Sequence, residues 1–187
     1  DEVLFHNAST GAVQAFNGEG GLQQAFGTAP AGGVKGVGDI DGDGKDDVIV
    51  RFADGATRGF SGANGAQIAN YASLGAWTIL AVADFDGDSG QELLIQRNSD
   101  GLTFAWNETG QQQSFGLRPV GGILGVGDVN GDGTDDVVVQ LAGGATRAFS
   151  GTGGAQIADY GVLSNWTVRA IADFDGNGGK ELLIQRN

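Results

Sequence analysis

The sequence predicts an all-β protein, a β-propeller of four four-stranded blades. Two observations support this fold class. A unit of about 45 residues recurs along the 187-residue chain, and each unit holds four short β-prone runs separated by Gly- and Asn-rich turns. The 36 Gly residues suit many tight turns. No segment shows the sustained 3.6-residue hydrophobic period of a helix.

Four acidic segments define the repeat. They begin at Asp39, Asp84, Asp128 and Asp173. These starting positions are 45, 44 and 45 residues apart, and residues 38–98 also align with 127–187 without a gap at about two thirds identity. The units therefore alternate between two types within one repeat domain, residues 1–187. Its predicted units are 1–45, 46–90, 91–134 and 135–179, followed by a closing strand at 180–187.

Each acidic segment is flanked by two predicted strands. The run before it contains small residues such as Gly36 and Ala81, which suit an innermost strand because blades crowd around the propeller axis. The run after it is apolar, as in Val48–Val50. Two further strands, such as those at 56–60 and 67–71, complete a unit. A linear β-solenoid and a β-sandwich remain alternatives.

The acidic segments have the composition of cation-binding loops. Positions 1, 3, 5 and 9 hold Asp, Asn or Glu in every copy, and Gly at position 4 permits a sharp turn. Side-chain oxygens at positions 1, 3 and 5 of a tight turn can converge on calcium, which takes about six to eight oxygens. The carbonyl at position 7 and the acid at position 9 would complete the shell. The predicted ligands are Asp39, Asp41, Asp43, Lys45 and Asp47; Asp84, Asp86, Asp88, Gly90 and Glu92; Asp128, Asn130, Asp132, Thr134 and Asp136; and Asp173, Asp175, Asn177, Gly179 and Glu181.

Other metals and other loop types fit less well. No His, Cys or Met accompanies the acids, which argues against zinc and copper. An EF-hand requires Glu at position 12, where these loops have an apolar residue such as Val50. Solvated acidic turns are the simpler alternative. Four copies with the same oxygen-bearing positions favour about four bound calcium ions.

The charge of the chain also favours bound cations. The net charge is −13, and the predicted side-chain ligands supply 14 acids, so their removal would leave +1. Like charges this close would repel one another without cations. Nucleic acid is not an expected partner, because phosphate binding requires a basic surface.

The pattern Asp-x-Asp-Gly-Asp-Gly-x-x-Asp, placed between a Val-Gly-Asp or Ala-Asp-Phe strand end and an apolar strand, resembles the FG-GAP/VCBS repeat family. Integrin α-subunit propellers and secreted bacterial adhesins, lectins and polysaccharide-active proteins carry similar loops. The resemblance covers essentially the whole chain. It implies calcium bound between the first and second strands of each blade. Two departures keep an oxygen ligand: Glu at position 9 of the second and fourth loops, and Asn in the third and fourth.

These features predict a non-catalytic, extracellular calcium-binding module for adhesion or for a protein or carbohydrate ligand. The alternative is an architectural spacer, or an accessory domain of a large secreted repeat protein or polysaccharide-degrading enzyme. His6 is the only histidine, so a Ser-His-Asp triad has no second candidate, and the loop acids are committed to metal. No apolar run approaches 18 residues, so membrane insertion is not expected. One repeat position in the first strands is a candidate for ligand contact, and it holds Lys35, Leu80, Leu124 and Arg169.

The two ends of the chain raise the question of ring closure. Residues 2–5 and 181–184 both match the second strand of a blade, so the first blade lacks its inner strand. The preferred prediction is a closed four-bladed monomer, in which the strand from Trp166 to Ala172 completes the first blade. The alternatives are an arc of a longer array and half of an eight-bladed ring formed by a symmetric dimer.

Overall fold

The computed structural model describes residues 2–28, 32–107, 109–110, 112–116, 119 and 121–187. These residues form an all-β structure, which confirms the predicted class. Their one helical element is a single 3-10 turn at Ala142–Gly144. The described part of the chain therefore contains no helix long and apolar enough to span a membrane.

The strands form five antiparallel sheets in chain order. Sheet 1 contains β1 (Glu2–His6), β2 (Ala12–Asn17) and β3 (Leu22–Thr28). Sheet 2 contains β4 (Val34–Gly38), β5 (Asp47–Arg51), β6 (Ala56–Phe60) and β7 (Gln67–Ser73). Sheet 3 contains β8 (Trp77–Ala83), β9 (Glu92–Arg97), β10 (Thr103–Trp106) and β11 (Gln112–Ser114). Sheet 4 contains β12 (Ile123–Gly127), β13 (Asp136–Gln140), β14 (Ala145–Phe149) and β15 (Gln156–Val162), and sheet 5 contains β16 (Trp166–Ala172) and β17 (Glu181–Arg186).

The predicted count of four four-stranded blades differs from this arrangement. Sheets 2, 3 and 4 have four strands each, whereas the described residues give sheet 1 three strands and sheet 5 two. The cause lies in β16, which pairs with its chain neighbour β17. A local hairpin costs less loop-closure entropy than pairing with β1 at the far end of the chain.

The predicted closure within one chain is likewise not found among the described residues. No hydrogen-bonded pairing joins sheet 5 to sheet 1 there, and each of these two sheets stands at one end of the series. Sheets 1 and 5 together hold all the strand types of one blade plus a second copy of the second strand. The structure is therefore an open series of sheets.

The first strands of successive sheets pack against one another: β4 contacts β8, β8 contacts β12, and β12 contacts β16. Small residues permit this approach, as predicted. A Cβ added to Gly36 would lie 2.6 Å from Val82 Cγ2, and one added to Gly125 would lie 2.5 Å from Ile171 Cδ1. The glycines of one strand thus receive the branched side chain of the next strand.

Among the described residues, three apolar clusters lie between sheets 1 and 2, sheets 2 and 3, and sheets 3 and 4. Val13 of sheet 1 packs with Val48 and Val50 of sheet 2. A second cluster joins sheet 2 to sheet 3, and a third joins sheet 3 to sheet 4. The hydrophobic core is therefore divided among the interfaces, as expected when each repeat buries its faces against its neighbours.

Candidate functional site

The four acidic loops occupy equivalent places in the fold. Each joins the first strand of a sheet to the second: β4 to β5, β8 to β9, β12 to β13, and β16 to β17. We number them loop 1 (residues 39–47), loop 2 (84–92), loop 3 (128–136) and loop 4 (173–181). The predicted position of the acidic segment between first and second strands is thus observed in four sheets.

Position 4 bends each loop as predicted. Its glycines have φ values of 72°, 81°, 74° and 77°, in the left-handed region where a side chain is strained. These glycines are Gly42, Gly87, Gly131 and Gly176. The turn brings the position-1 carboxylate back over the loop backbone, and in loop 1 Asp39 accepts the N–H groups of Asp43 (3.0 Å) and Gly44 (2.8 Å).

The position-5 side chain closes the second half of each loop. Its oxygen accepts the N–H of position 7 at 2.8–2.9 Å in all four copies. The accepting residues are Asp43, Asp88, Asp132 and Asn177, and the donors are Lys45, Gly90, Thr134 and Gly179. The ligand role of the position-7 carbonyls stays a prediction.

Carboxylate oxygens converge in loops 1, 2 and 4. In each of these loops, three acids offer oxygens within 4.8 Å of one another. The groups are Asp39, Asp41 and Asp43; Asp84, Asp86 and Glu92; and Asp173, Asp175 and Glu181. Two oxygens on the same calcium ion lie at most about 5 Å apart, since each Ca–O distance is about 2.3–2.6 Å. The residues present therefore fit a calcium ion in charge, donor type and spacing.

Loop 3 has the same backbone course but a different set of side-chain contacts. The Asn130 amide donates to Asp132 Oδ2 at 2.8 Å, and the Thr134 hydroxyl donates to Asp132 Oδ1 at 2.6 Å. These hydrogen bonds lower the pKa of Asp132, with the Thr134 hydroxyl as the largest cause. Asp128 accepts three loop N–H groups, from Gly131, Asp132 and Gly133.

The acid at position 9 has two distinct roles in the alternating loops. Asp47 is fully buried, and its two oxygens accept the N–H groups of Ile40 and Gly62, both at 2.9 Å. Asp136 is equally buried and makes the equivalent bonds to Val129 (2.8 Å) and Gly151 (3.2 Å). Both carboxylates therefore fix the loop to the turn that follows the third strand of their own sheet.

The longer Glu of loops 2 and 4 reaches further. Glu92 uses Oε2 to accept the Phe85 N–H at 2.8 Å, and Glu181 does the same for Phe174 at 2.8 Å. Each also contributes an oxygen to the cluster of its own loop. Sequence reasoning assigned the same role to Asp and Glu at this position, and the extra methylene accounts for the difference in reach.

Burial and mutual repulsion oppose the charged form of several of these acids. Glu92 is only 4 % exposed, and burial followed by the charges of the neighbouring loop acids raises its pKa to about 8. Burial is also the main cause that raises the pKa of Asp47, Asp86 and Asp136. A cation placed among these oxygens would counter the repulsion.

Neighbouring loops are joined by a recurrent backbone hydrogen bond. The N–H of position 8 in one loop donates to the carbonyl of position 1 in the preceding loop. The pairs are Gln91 to Asp39 (2.8 Å), Asp135 to Asp84 (2.6 Å) and Lys180 to Asp128 (2.7 Å). The Lys180 ammonium also forms an ion pair with Asp135 at 3.3 Å. The four loops therefore form a continuous row at the same end of the strands in successive sheets.

Sequence reasoning missed two features of the loops. Position 8 joins one loop to the next, and nothing in a single repeat indicates this contact. Position 6 is also left-handed, with Gly in loops 1, 3 and 4 but Ser89 at φ 78° in loop 2. The recurrence of Gly at position 6 in three copies was a usable indication of that conformation.

The candidate ligand-contact position coincides with an irregularity in each first strand. The pairing register shifts at this residue in β4, β8, β12 and β16. A bulge of this kind redirects a side chain out of the ladder. The residues are Lys35, Leu80, Leu124 and Arg169; three of them are exposed and Leu124 is half-buried.

Two tryptophans at equivalent repeat positions and the single histidine lie outside the four loops. Trp77 packs edge-on against Phe104 and Trp106, with ring centroids 5.3 and 6.0 Å apart, at the core between sheets 2 and 3. Its repeat equivalent, Trp166, is 40 % exposed at the start of β16. His6 is exposed at the end of β1.

No protein-family model and no curated protein matches this sequence. The fold, in contrast, has similar solved structures. BBS1N in complex with ARL6DN, soaked with lead, aligns with a TM-score of 0.63 at 14% identity, over 98% of this chain and 58% of that one. A catalytically inactive virginiamycin B lyase from Staphylococcus aureus with quinupristin aligns with a TM-score of 0.58 at 16% identity, over 91% of this chain and 56% of that one.

The computationally designed protein Ika8 aligns with a TM-score of 0.52 at 17% identity, over all of this chain and 55% of that one. The chain therefore spans just over half the length of these three proteins. Likeness at such identities concerns the fold alone. The chain is an all-β protein of antiparallel sheets with a propeller-like fold.

Proposed function

We propose that this chain is a calcium-binding β-propeller module that acts outside the cell, in adhesion or in binding a protein or carbohydrate ligand. One observation supports the ion binding most strongly. Four loops at equivalent places share a left-handed Gly and the same side-chain-to-backbone bonds, and in three of them carboxylate oxygens converge within 4.8 Å. The recurrence of this arrangement in four copies supports ion binding over solvated acidic turns.

The chemistry of the loops favours calcium over other metals. The side-chain donors are all oxygens, from Asp, Asn and Glu, and hard cations prefer such ligands. Calcium tolerates irregular geometry and more ligands than magnesium, so a loop that offers three carboxylates and backbone carbonyls suits it. In loops 1 and 3, positions 1, 3 and 5 would hold the ion while Asp47 and Asp136 secure the loop. In loops 2 and 4, the Glu at position 9 would join the shell.

Bound calcium would stabilise the fold because each loop links two strands of one sheet and contacts the loop of the next. An ion that binds only the folded chain contributes about 3–4 kcal/mol per site at several hundred to a thousand times its dissociation constant. Bound ions that cross-link the fold in this way can take the place of disulfide bonds in an extracellular chain without Cys. We further propose that the module is not an enzyme, and that Lys35 and Arg169 contact the ligand.

The ion-binding proposal is tested by thermal unfolding in calcium and in chelator. Asp41 is exposed and belongs to the loop 1 cluster, so Asp41→Ala is expected to lower the melting temperature in calcium and to change it little in chelator. Asp54 is the matched control. It lies in the turn between β5 and β6, where it accepts the Ala56 N–H at 3.0 Å, outside every loop.

An equal effect of Asp41→Ala and Asp54→Ala in calcium would contradict the assignment of loop 1. A melting temperature unmoved by chelator would contradict calcium stabilisation altogether. The ligand-binding part is tested separately on a glycan array with and without calcium. Calcium-dependent binding that weakens in Arg169→Ala supports a binding module. An absence of binding to every glycan on the array would contradict carbohydrate binding and favours the spacer or accessory-domain alternative.

A further inference from the structure

A cavity beside β1 marks an unfilled place in the repeat. It has a volume of about 740 Å³ and lies between sheet 1 and sheet 2. Leu4, Ala15 and Phe26 form its wall on the side of sheet 1, and Val48 forms part of the wall on the side of sheet 2. We call it the β1 cavity.

The strand registers identify the equivalent place in sheet 3. Glu2 and Glu92 begin equivalent second strands, and the pairing of β1 with β2 and β3 matches that of β9 with β10 and β11. The wall residues and their equivalents are, in order, Leu4 and Leu94, Ala15 and Ala105, Phe26 and Phe115, and Val48 and Val137.

In sheet 3 this place is filled by Phe85. Its side chain is fully buried in a single cluster with all four of those equivalents, and its ring lies 5.5 Å from that of Phe115. Phe85 is the second residue of loop 2, which begins immediately after β8. The β1 cavity therefore shares four apolar wall residues with the surroundings of Phe85, in a sheet whose described residues supply no first strand; Gln23, Gln24 and Lys45 also line it.

The polar groups around the cavity match in the same way. Glu2 lines it at the position of Glu92, which accepts the Phe85 N–H at 2.8 Å. Asp46 lines it at the position of Asp135, whose N–H donates to the Asp84 carbonyl at 2.6 Å. Within the described part of the chain, neither Glu2 nor the Asp46 N–H makes the equivalent bond.

The opposite end of the structure carries the matching side chain. Phe174 is the repeat equivalent of Phe85, but it is 58 % exposed whereas Phe85 is 0 % exposed. It belongs to sheet 5, in which the described residues include no third or fourth strand to cover it. Leu183 of β17 is also exposed. The chain thus has an unfilled phenylalanine site at one end and an unburied phenylalanine at the other.

We infer that Phe174 of one copy of this chain enters the β1 cavity of a second copy. In this arrangement β1 replaces β17 beside β16, and Glu2 replaces Glu181 as the acceptor of the Phe174 N–H. The exchange conserves one antiparallel pairing while it buries Phe174 and the cavity walls, as in domain swapping. Two such contacts, related by a two-fold axis, close the pair, and each copy spans 55–58% of the three similar structures.

Cysteine cross-linking tests the strand exchange directly. Ala81 pairs with Leu94 in sheet 3, so Ala170 of one copy should pair with Leu4 of the other. The chain has no Cys, and oxidation of the variant Leu4→Cys/Ala170→Cys is expected to give a covalent dimer on denaturing, non-reducing gels. The pair Ala170→Cys/Leu183→Cys follows the register of β16 with β17 and serves as the matched control, which should cross-link within the chain only if β17 stays in place.

Sedimentation of the 187-residue chain in calcium is expected to show a dimer. Phe174→Ser should raise its dissociation constant at least about 100-fold, since the two-fold pair buries two Phe174 side chains and each is worth about tenfold or more. Val162→Ser, which removes a side chain 60 % exposed outside the proposed contact, should leave the constant unchanged.

Three results would overturn the inference: a cross-link between Leu4→Cys and Ala170→Cys within a single chain, no cross-link between them, or equal effects of Phe174→Ser and Val162→Ser. The first of these would instead establish closure within one chain. The ions proposed for loops 1, 2 and 3 do not depend on which strand pairs with β16, so this inference and the proposed function fail separately.

Discussion

Replacing Asp47 by asparagine is expected to destabilise the protein equally in calcium and in chelator. The carboxylate is fully buried, and each of its oxygens accepts one backbone N–H at 2.9 Å, from Ile40 and from Gly62. Asparagine keeps one carbonyl oxygen, so its amide nitrogen must face the other N–H. One charge-assisted hydrogen bond is lost, and one buried donor is left unsatisfied.

The magnitude follows from these contacts. The lost bond and the unsatisfied donor together cost about 2–4 kcal/mol. Burial raises the pKa of Asp47 because it desolvates the charged carboxylate, and neutralising this group recovers part of that cost. The expected net loss is about 1–3 kcal/mol of unfolding free energy, a large share of the stability of a typical domain.

Urea denaturation followed by tryptophan fluorescence measures this loss from the shift in midpoint at constant slope. Asp41→Asn is the matched variant in the same loop: its carboxylate is exposed and, among the described residues, accepts only the Asp43 N–H, at 3.2 Å. It should lose stability in calcium and little in chelator. If Asp47→Asn behaved in that manner, Asp47 would be an ion ligand and its structural role would be refuted.

Three further changes have defined outcomes. Ser89→Gly should stabilise the protein by about 1 kcal/mol in calorimetric melts, because Ser89 has φ 78° where the other loops have Gly. A loss of stability would contradict backbone strain at this residue. Gly36→Ala should cost about 1–3 kcal/mol through its clash with Val82, whereas Gly153→Ala, with open space around it, should change stability by less than about 0.5 kcal/mol in the same melts. Lys180→Ala should also lie within about 0.5 kcal/mol, because its ion pair is partly exposed; a larger loss in urea titration would give that pair an energetic role.

Much of the fold could be predicted from the spacing and type of residues. The period of the acidic segments located the first and second strands, and the Gly at position 4 correctly indicated a left-handed turn. The small residues of the first strands predicted the close packing of Gly36 against Val82. These features were accessible because each depends on local backbone geometry repeated in four copies.

Other features depend on contacts between repeats or on side-chain length. The bond from position 8 to the preceding loop arises from the stacking of sheets, which no single repeat encodes. The distinction between Asp47 and Glu92 depends on one methylene and on the turn at Gly62. At the ends of the series, β16 pairs with β17 and not with β1, because a short hairpin costs less loop-closure entropy than a long-range pairing.

Counting bound calcium tests the central claim most directly. Isothermal titration of the chelated and dialysed protein, checked by native mass spectrometry, should give about four ions per chain. The variant Asp41→Ala should lose one of them, whereas Asp54→Ala should retain all. A stoichiometry of one ion or none would contradict the assignment of the four loops as calcium sites.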